Sequence, residues 1–237
     1  MTLEPILRFI KKGFFVESGA YTGETHSNTL LLEKGGWSGL LVEPNPGSLK
    51  TLKSKHRKAY VFEGALSPTR FREVVHFRGM AIREDGNNSI DVIAEPLSSL
   101  LKVIHQRTVD FWSLDIEGFE GQVLNSTDFH EIEVGVLLIE VNHQKDRLVE
   151  EVMARAGFSF IGNTYYQGRT PDIALASPHK PWSKLDAVYI NPAYFRRRSL
   201  PVPKRINEDS HRYDCSSIRM RKEKGLAGSD VQLLHAC

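Results

Sequence analysis

Cysteine is nearly absent: in 237 residues only Cys215 and Cys237 occur, both close to the C-terminal end. A disulfide framework, a thiolate metal site and a cysteine nucleophile are therefore excluded from the bulk of the chain. Long apolar runs are missing too. No stretch approaches the roughly 18 uninterrupted apolar residues of a membrane span, and the first residues lack the apolar block of a secretory signal. As written, the chain reads as soluble and cytoplasmic. Charge of one sign is also lacking: 31 basic and 29 acidic residues leave +2, which makes no chain-wide case for nucleic acid as a partner. Internal repeats are not visible. What is present, 41% hydrophobic residues with ordinary Gly and Pro, predicts a folded domain of good size.

The small net charge hides an asymmetry. From Arg196 to Cys237 the chain carries 10 Lys and Arg against 5 Asp and Glu, so everything before it is slightly acidic. We divide the chain into a folded domain, residues 1–195, and a basic tail, residues 196–237, that opens with Arg196-Arg197-Arg198 and has few apolar residues. The bland reading of such a tail is a solvated run; the sharper one is a contact with an acidic partner or a membrane surface. A strand-like run begins as early as Gly13-Phe14-Phe15-Val16, which leaves almost nothing before the fold and predicts a fragment or shortened form of something longer.

Short apolar runs alternate with helical spacing. Phe14–Glu17, Gly39–Glu43, Ala59–Glu63, Val109–Asp115 and Val134–Glu140 read as strands, with helices expected over Thr29–Lys34, Ser48–His56, Leu97–Ile104, Phe119–Leu124 and Asp146–Ala156. Phe158–Ile161 and Ala187–Ile190 supply two final strands, and Glu73–Phe77 resembles an edge strand in an irregular stretch. This alternation predicts right-handed βαβ units and a doubly wound α/β fold with a mostly parallel sheet.

Four runs end in an acid where the chain leaves the sheet: Glu17, Glu43, Asp115 and Glu140. Ligands of open parallel sheets bind outside those carboxyl ends. Gly19 and Gly23 bracket the first strand-to-helix turn, where absent side chains let backbone approach a ligand. Glu43 follows Gly19 by 24 residues, the place from which an acid accepts ribose hydroxyls, so a nucleoside cofactor is expected. The turn Gly19-Ala20-Tyr21-Thr22-Gly23 is not a dinucleotide fingerprint, and Glu24 after Gly23 repels phosphate where a P-loop needs Lys. NAD, FAD and ATP are disfavoured. S-adenosylmethionine, with a ribose, no phosphate and an ammonium, suits a pocket ringed by carboxylates.

At Val16–Gly23, Val42-Glu43-Pro44-Asn45-Pro46, Pro96–Leu101 and above all Leu114-Asp115-Ile116-Glu117-Gly118-Phe119-Glu120, the sequence resembles the FkbM family of class I methyltransferases, over roughly residues 13–191. It departs from the usual pattern in two places: Glu17 stands where the family generally has Asp, and Ser18-Gly19-Ala20-Tyr21 replaces a commoner Gly-Ala-Asn. The resemblance implies a seven-stranded Rossmann-like sheet and methyl transfer from S-adenosylmethionine to an oxygen of a small-molecule, glycan or protein acceptor. By position it implies that Glu17, Gly19, Ala20, Tyr21 and Gly23 hold the methionine portion, Glu43 the ribose, Glu63, Gly64 and Ala65 the adenine edge, and Asp115 the floor beside the sulfonium. Candidate bases for the acceptor proton are Asp115, Glu117 and His143.

Each assignment has a plainer counterpart. Gly19 and Gly23 can serve a tight turn alone, Asp115 or Glu117 can cap the helix near Gly118, and His143 can be an ordinary loop residue. Asp115, Glu140, Asn142 and His143 can also be read as ligands of a divalent cation, although no metal is expected. The sequence is similar as well to the domain of Star-like proteins, which implies a non-catalytic module escorting growth-factor precursors. Under that reading Asn87 and Asn125, both in Asn-x-Ser/Thr sequons, bear glycans, and a missing N-terminal anchor places the protein on endoplasmic reticulum, Golgi or endosomal membranes.

Overall fold

Strands that are apolar at every position need cover on both faces. Phe14, Phe15 and Val16 are all buried, and the fold supplies a layer on each side. The computed structural model describes residues 3–83, 88–141, 146–166 and 183–206. In chain order its elements are α1 (Glu4–Leu7), β1 (Phe14–Ser18), α2 (Leu30–Lys34), β2 (Ser38–Glu43), α3 (Pro46–Ser54), β3 (Tyr60–Glu63), β4 (Ala65–Leu66), β5 (Glu73–Arg78), β6 (Ala81–Arg83) and β7 (Ile90–Glu95). There follow α4 (Leu97–Val103), β8 (Thr108–Leu114), α5 (Glu120–Ser126), β9 (Glu133–Glu140), α6 (Asp146–Arg155), β10 (Ser159–Tyr166), β11 (Ser183–Ile190) and α7 (Pro192–Arg197).

The main sheet has seven strands in the order β10-β11-β9-β8-β1-β2-β3. Strands β3, β2, β1, β8 and β9 run parallel; β11 is antiparallel to β9, and β10 to β11. Alternate residues face two cores. On one side Val16, Val42, Trp112, Leu114, Leu137 and Ile139 meet Leu97 and Leu101 of α4, Val123 and Leu124 of α5, and Val152 and Met153 of α6. On the other, Phe15, Leu41, Phe111, Val136 and Val188 meet Leu3, Ile6 and Leu7 around α1 and Tyr194 and Phe195 of α7. The expected doubly wound sheet is therefore observed. Strand β1 pairs with both β2 and β8, so the chain's winding reverses there and a crevice opens at the carboxyl ends of β1 and β8.

Three features differ from the sequence reading. Residues 4–7 form α1, and Leu3, Ile6, Leu7 and Ile10 in and beside it pack against Phe15 and Leu41, because these apolar residues recur at helical spacing. Helix α3 starts at Pro46, two positions early, since the Asn45 side chain accepts from the Gly47 and Ser48 amides and Pro suits the first turn. Residues Glu73–Phe77 do not edge the main sheet. They lie inside a second sheet of order β4-β7-β5-β6, around a small core of Val75, Phe77, Ile82 and Ala94.

The described chain continues past the expected domain edge at residue 195. Asn191 caps α7 by accepting from the Ala193 and Tyr194 amides, Arg197 and Arg198 both pair with Glu133, and Ile206 is buried beside Gly162. These basic residues meet an acid of their own chain because α7 docks across the start of β9. Asn87, Asn142, His143, Trp182 and both cysteines lie outside the described residues. Among the described residues no helix is long and apolar enough to cross a membrane.

Candidate functional site

The crevice is built from the ends of β1, β2, β8 and β9. After β1 the chain turns sharply: the Gly19 and Ala20 amides both donate to the Val42 carbonyl, at 3.0 and 3.1 Å, and the Gly23 amide closes the turn on the Ala20 carbonyl at 2.8 Å. Gly19 has φ +82° and a β-carbon there would stand 1.8 Å from the Asp115 carbonyl oxygen, so no other residue fits. The Asp115 amide in turn donates to the Ser18 carbonyl at 3.1 Å. The two strand ends at the switch point are thus in backbone contact. Left-handed backbone concentrates at this rim, at Tyr21, Gly23, His26, Glu117 and Gly118 as well as Gly19. Such conformations persist where surrounding structure over-determines them, commonly at binding sites.

Glu43 is buried at the end of β2. One carboxylate oxygen accepts the Tyr21 amide at 2.7 Å and the other the Asn45 amide at 2.8 Å. Burial raises its pKa, and these two amides oppose the shift. A carboxylate has about four acceptor sites, so Glu43 keeps capacity for further donors. The Gly64 amide donates to its carbonyl at 3.1 Å, which sets Gly64 and buried Ala65 beside it. Glu63 lies in register with Glu43 but is exposed and paired with Lys53 at 2.7 Å.

Glu17 faces elsewhere. Its carboxylate accepts the Ser27 hydroxyl at 2.9 Å, the Asn28 amide at 2.6 Å and the Thr29 hydroxyl at 2.6 Å, with Arg57 4.0 Å away. Burial raises its pKa against these stabilising partners. What this side chain holds is the loop that leads into α2. Ala20 packs into the core while Tyr21 is exposed at the rim.

On the other side of the crevice Asp115, Glu117 and Glu140 bring carboxylate oxygens within 4.8 Å of one another. The register Leu114↔Ile139 and Glu140↔Asp186 explains this, because it places Asp115, Glu140 and Asp186 side by side across β8, β9 and β11. Asp115 reaches solvent, yet the protein crowded around it strips hydration from its carboxyl. That desolvation, a hydrogen bond with Glu140, and the charges of Glu140, Glu117 and Asp186 push its pKa up to about 9. Asp186 is pushed up to about 6 by burial and the Glu140 charge, against a hydrogen bond from Thr164. Three carboxylates at this separation are an arrangement a divalent cation can use; exposed acidic groups also cluster without one.

Neither Asp115 nor Glu117 caps the helix near Gly118, as one reading had it. Glu120 reaches back instead and accepts the Ile116 amide at 2.9 Å and the Gly118 amide at 3.0 Å. Trp112 and Trp37 are buried packing residues, and the indole of Trp112 donates to Ser18 at 3.0 Å. Sequence reading missed Arg57, Glu120 and Asp186. The first is hidden in the run Lys55-His56-Arg57-Lys58, Glu120 closes the Leu114–Glu120 block without its own role being legible, and Asp186 carries no motif; only the register from β8 through β9 to antiparallel β11 brings Asp186 near Asp115. A cavity of about 400 Å³ lined by Arg107, His130, Glu131 and Arg197 lies at the opposite, amino ends of β8 and β9.

No curated protein matches the chain significantly. Among solved structures, a TehB-like S-adenosylmethionine-dependent methyltransferase from Corynebacterium glutamicum is 13% identical, with 76% of this chain and 81% of that one covered at a TM-score of 0.39. The fibrillarin pre-rRNA processing protein of Methanococcus jannaschii is 13% identical, with 76% and 66% covered and a TM-score of 0.43. LepI in its complex with S-adenosylmethionine is 13% identical, with 80% and 46% covered and a TM-score of 0.38. The methyltransferase FkbM domain matches residues 17–160, more than half of the chain and the segment that carries Glu17, the Gly19 turn, Glu43 and Asp115. This chain belongs to the methyltransferase FkbM family.

Proposed function

We propose that this chain moves the methyl group of S-adenosylmethionine to an oxygen, a hydroxyl or carboxyl, of its acceptor. The observation that carries the reading is the backbone contact of Gly19 with Asp115 at the sheet's switch point, flanked by Glu43 with spare acceptor capacity. When bound, the cofactor supplies an electrophilic methyl group on a sulfonium.

The chain's own residues divide the remaining work. Glu43 accepts the ribose hydroxyls, Gly64 and Ala65 with the backbone of Glu63 border the adenine, and the turn of Gly19, Ala20, Tyr21 and Gly23 receives the methionine portion. Glu17 acts on that turn through the loop it anchors. The carboxylates of Glu117 and Glu140 give the sulfonium end a complementary field. With its pKa at about 9, Asp115 keeps its proton at neutral pH and serves as a donor, so the acceptor proton falls to Glu117.

Calorimetric titration with S-adenosylmethionine tests the reading. Binding by the wild-type chain is expected, together with a loss of about 1.5–3 kcal/mol, roughly 10- to 150-fold in Kd, in Glu43→Ala. A chain that binds nothing at millimolar cofactor leaves only a binding scaffold, and an unchanged Kd in the variant removes Glu43 from the ribose.

A further inference from the structure

Arg57 lies between α3 and β3 with its side chain 2% exposed, an unusual place for a guanidinium unless every donor is used. Its Nε donates to Glu33 at 3.1 Å, one terminal nitrogen donates to the Gly23 carbonyl and to Ser27 Oγ at 3.3 Å, and the other donates to Thr29 Oγ1 at 3.1 Å. Glu33 is itself locked, since it also accepts the Lys58 and Ala59 amides at 3.0 and 3.2 Å. The guanidinium therefore spans from the foot of β3 to the last residue of the two-glycine turn and to the two hydroxyls that bind Glu17. These anchors lie on the turn at Gly23, on loop 27–29 and on α2, and only a planar fork with five donors reaches them all at once.

We infer that Arg57 is the positioning residue of the cofactor turn, holding the Gly23 carbonyl and loop 27–29 in the shape that receives the amino-acid end of the ligand. The inference rests on the cofactor reading above. Arg57 grips the Gly23 end of the turn, whereas Glu43 is held by the Tyr21 and Asn45 amides, so removal of Arg57 is expected to weigh more on the amino-acid end of the cofactor than on the ribose end.

The experiment compares two probes on the full chain by calorimetry: S-adenosylhomocysteine, and 5′-methylthioadenosine, which keeps adenine and ribose but lacks the amino-acid end. Arg57→Lys keeps the positive charge beside Glu17 and Glu33 and loses the fork. Its Kd for S-adenosylhomocysteine is expected to rise at least about tenfold while that for methylthioadenosine moves less than about twofold. Equal losses on both probes, or no loss on either, overturn the inference, because general loosening of the fold weakens both alike. Wild-type chain that binds neither probe overturns the cofactor reading itself. Should Arg57→Lys fail to melt cooperatively, Glu33→Gln replaces it: this site touches Arg57 and not the turn, so the same selective loss supports the inference and unchanged binding overturns it.

Discussion

At the scale of single residues, the site depends on positions where one atom decides the outcome. Gly19 is the sharpest. Its left-handed φ and the Asp115 carbonyl at the place of a β-carbon make Gly19→Ala both strained and overpacked, at a cost on the order of 2–4 kcal/mol in urea denaturation. A loss below about 0.5 kcal/mol would show that the two strand ends are free to separate. Asp115 sets a pH dependence. An acid whose pKa is raised in the native state favours the fold below its unfolded pKa, and that contribution is lost as pH climbs to the folded value. For Asp115 the window runs from 3.8 to about 9. Native stability is expected to decline across it, and Asp115→Asn to flatten the decline; parallel slopes for the two proteins contradict the assignment. Gly19, Glu43 and Asp115 were readable in advance because strand-end acids beside a two-glycine turn carry meaning without a structure. Arg57 was not, since burial alone separates it from Lys55 and Lys58, and burial is a property of the fold.

At the scale of elements, periodicity located the strands of the main sheet and most helices, and failed where the elements are short. The four-stranded sheet is assembled from strands of two to six residues with mixed burial, so no face repeats often enough to be read. Helix α7 escaped because it opens on Pro192 and closes in Arg196-Arg197, a composition that resembles an unstructured tail. Its anchor is the fully buried Tyr194, whose hydroxyl donates to Asp110, an acid that also takes the Phe14 amide at 2.6 Å; the ring occupies the space left by Gly135. Burial and the Asp110 partner raise the tyrosine pKa. Tyr194→Phe is expected to cost about 1.5–3 kcal/mol in thermal or chemical unfolding, the worth of a hydrogen bond to a charged group. Wild-type stability in that variant would mean α7 is held by apolar contact alone.

At the scale of the whole molecule, a ligand that binds only the native chain must stabilise it by mass action. Cofactor at 100 times its Kd is expected to add about 2.7 kcal/mol and to raise the melting midpoint by roughly 5–10 °C. A midpoint that does not move contradicts occupation of the crevice. The doubly wound architecture was legible because alternating strands and helices admit few topologies. The acceptor was not, because the segments that border the acceptor side follow no period and carry no transferable pattern.

The two margins of the main sheet are not alike. Strand β10 is interrupted twice in its register with β11, and the Ile206 amide already donates to its Ile161 carbonyl at 2.8 Å. Strand β3, at the far margin, is regular and carries exposed Tyr60 and Val61. Irregularity and self-cover blunt a margin against strand addition, whereas a regular one still offers a template. Any strand added to this sheet would therefore meet a template at β3 and a margin already taken up at β10.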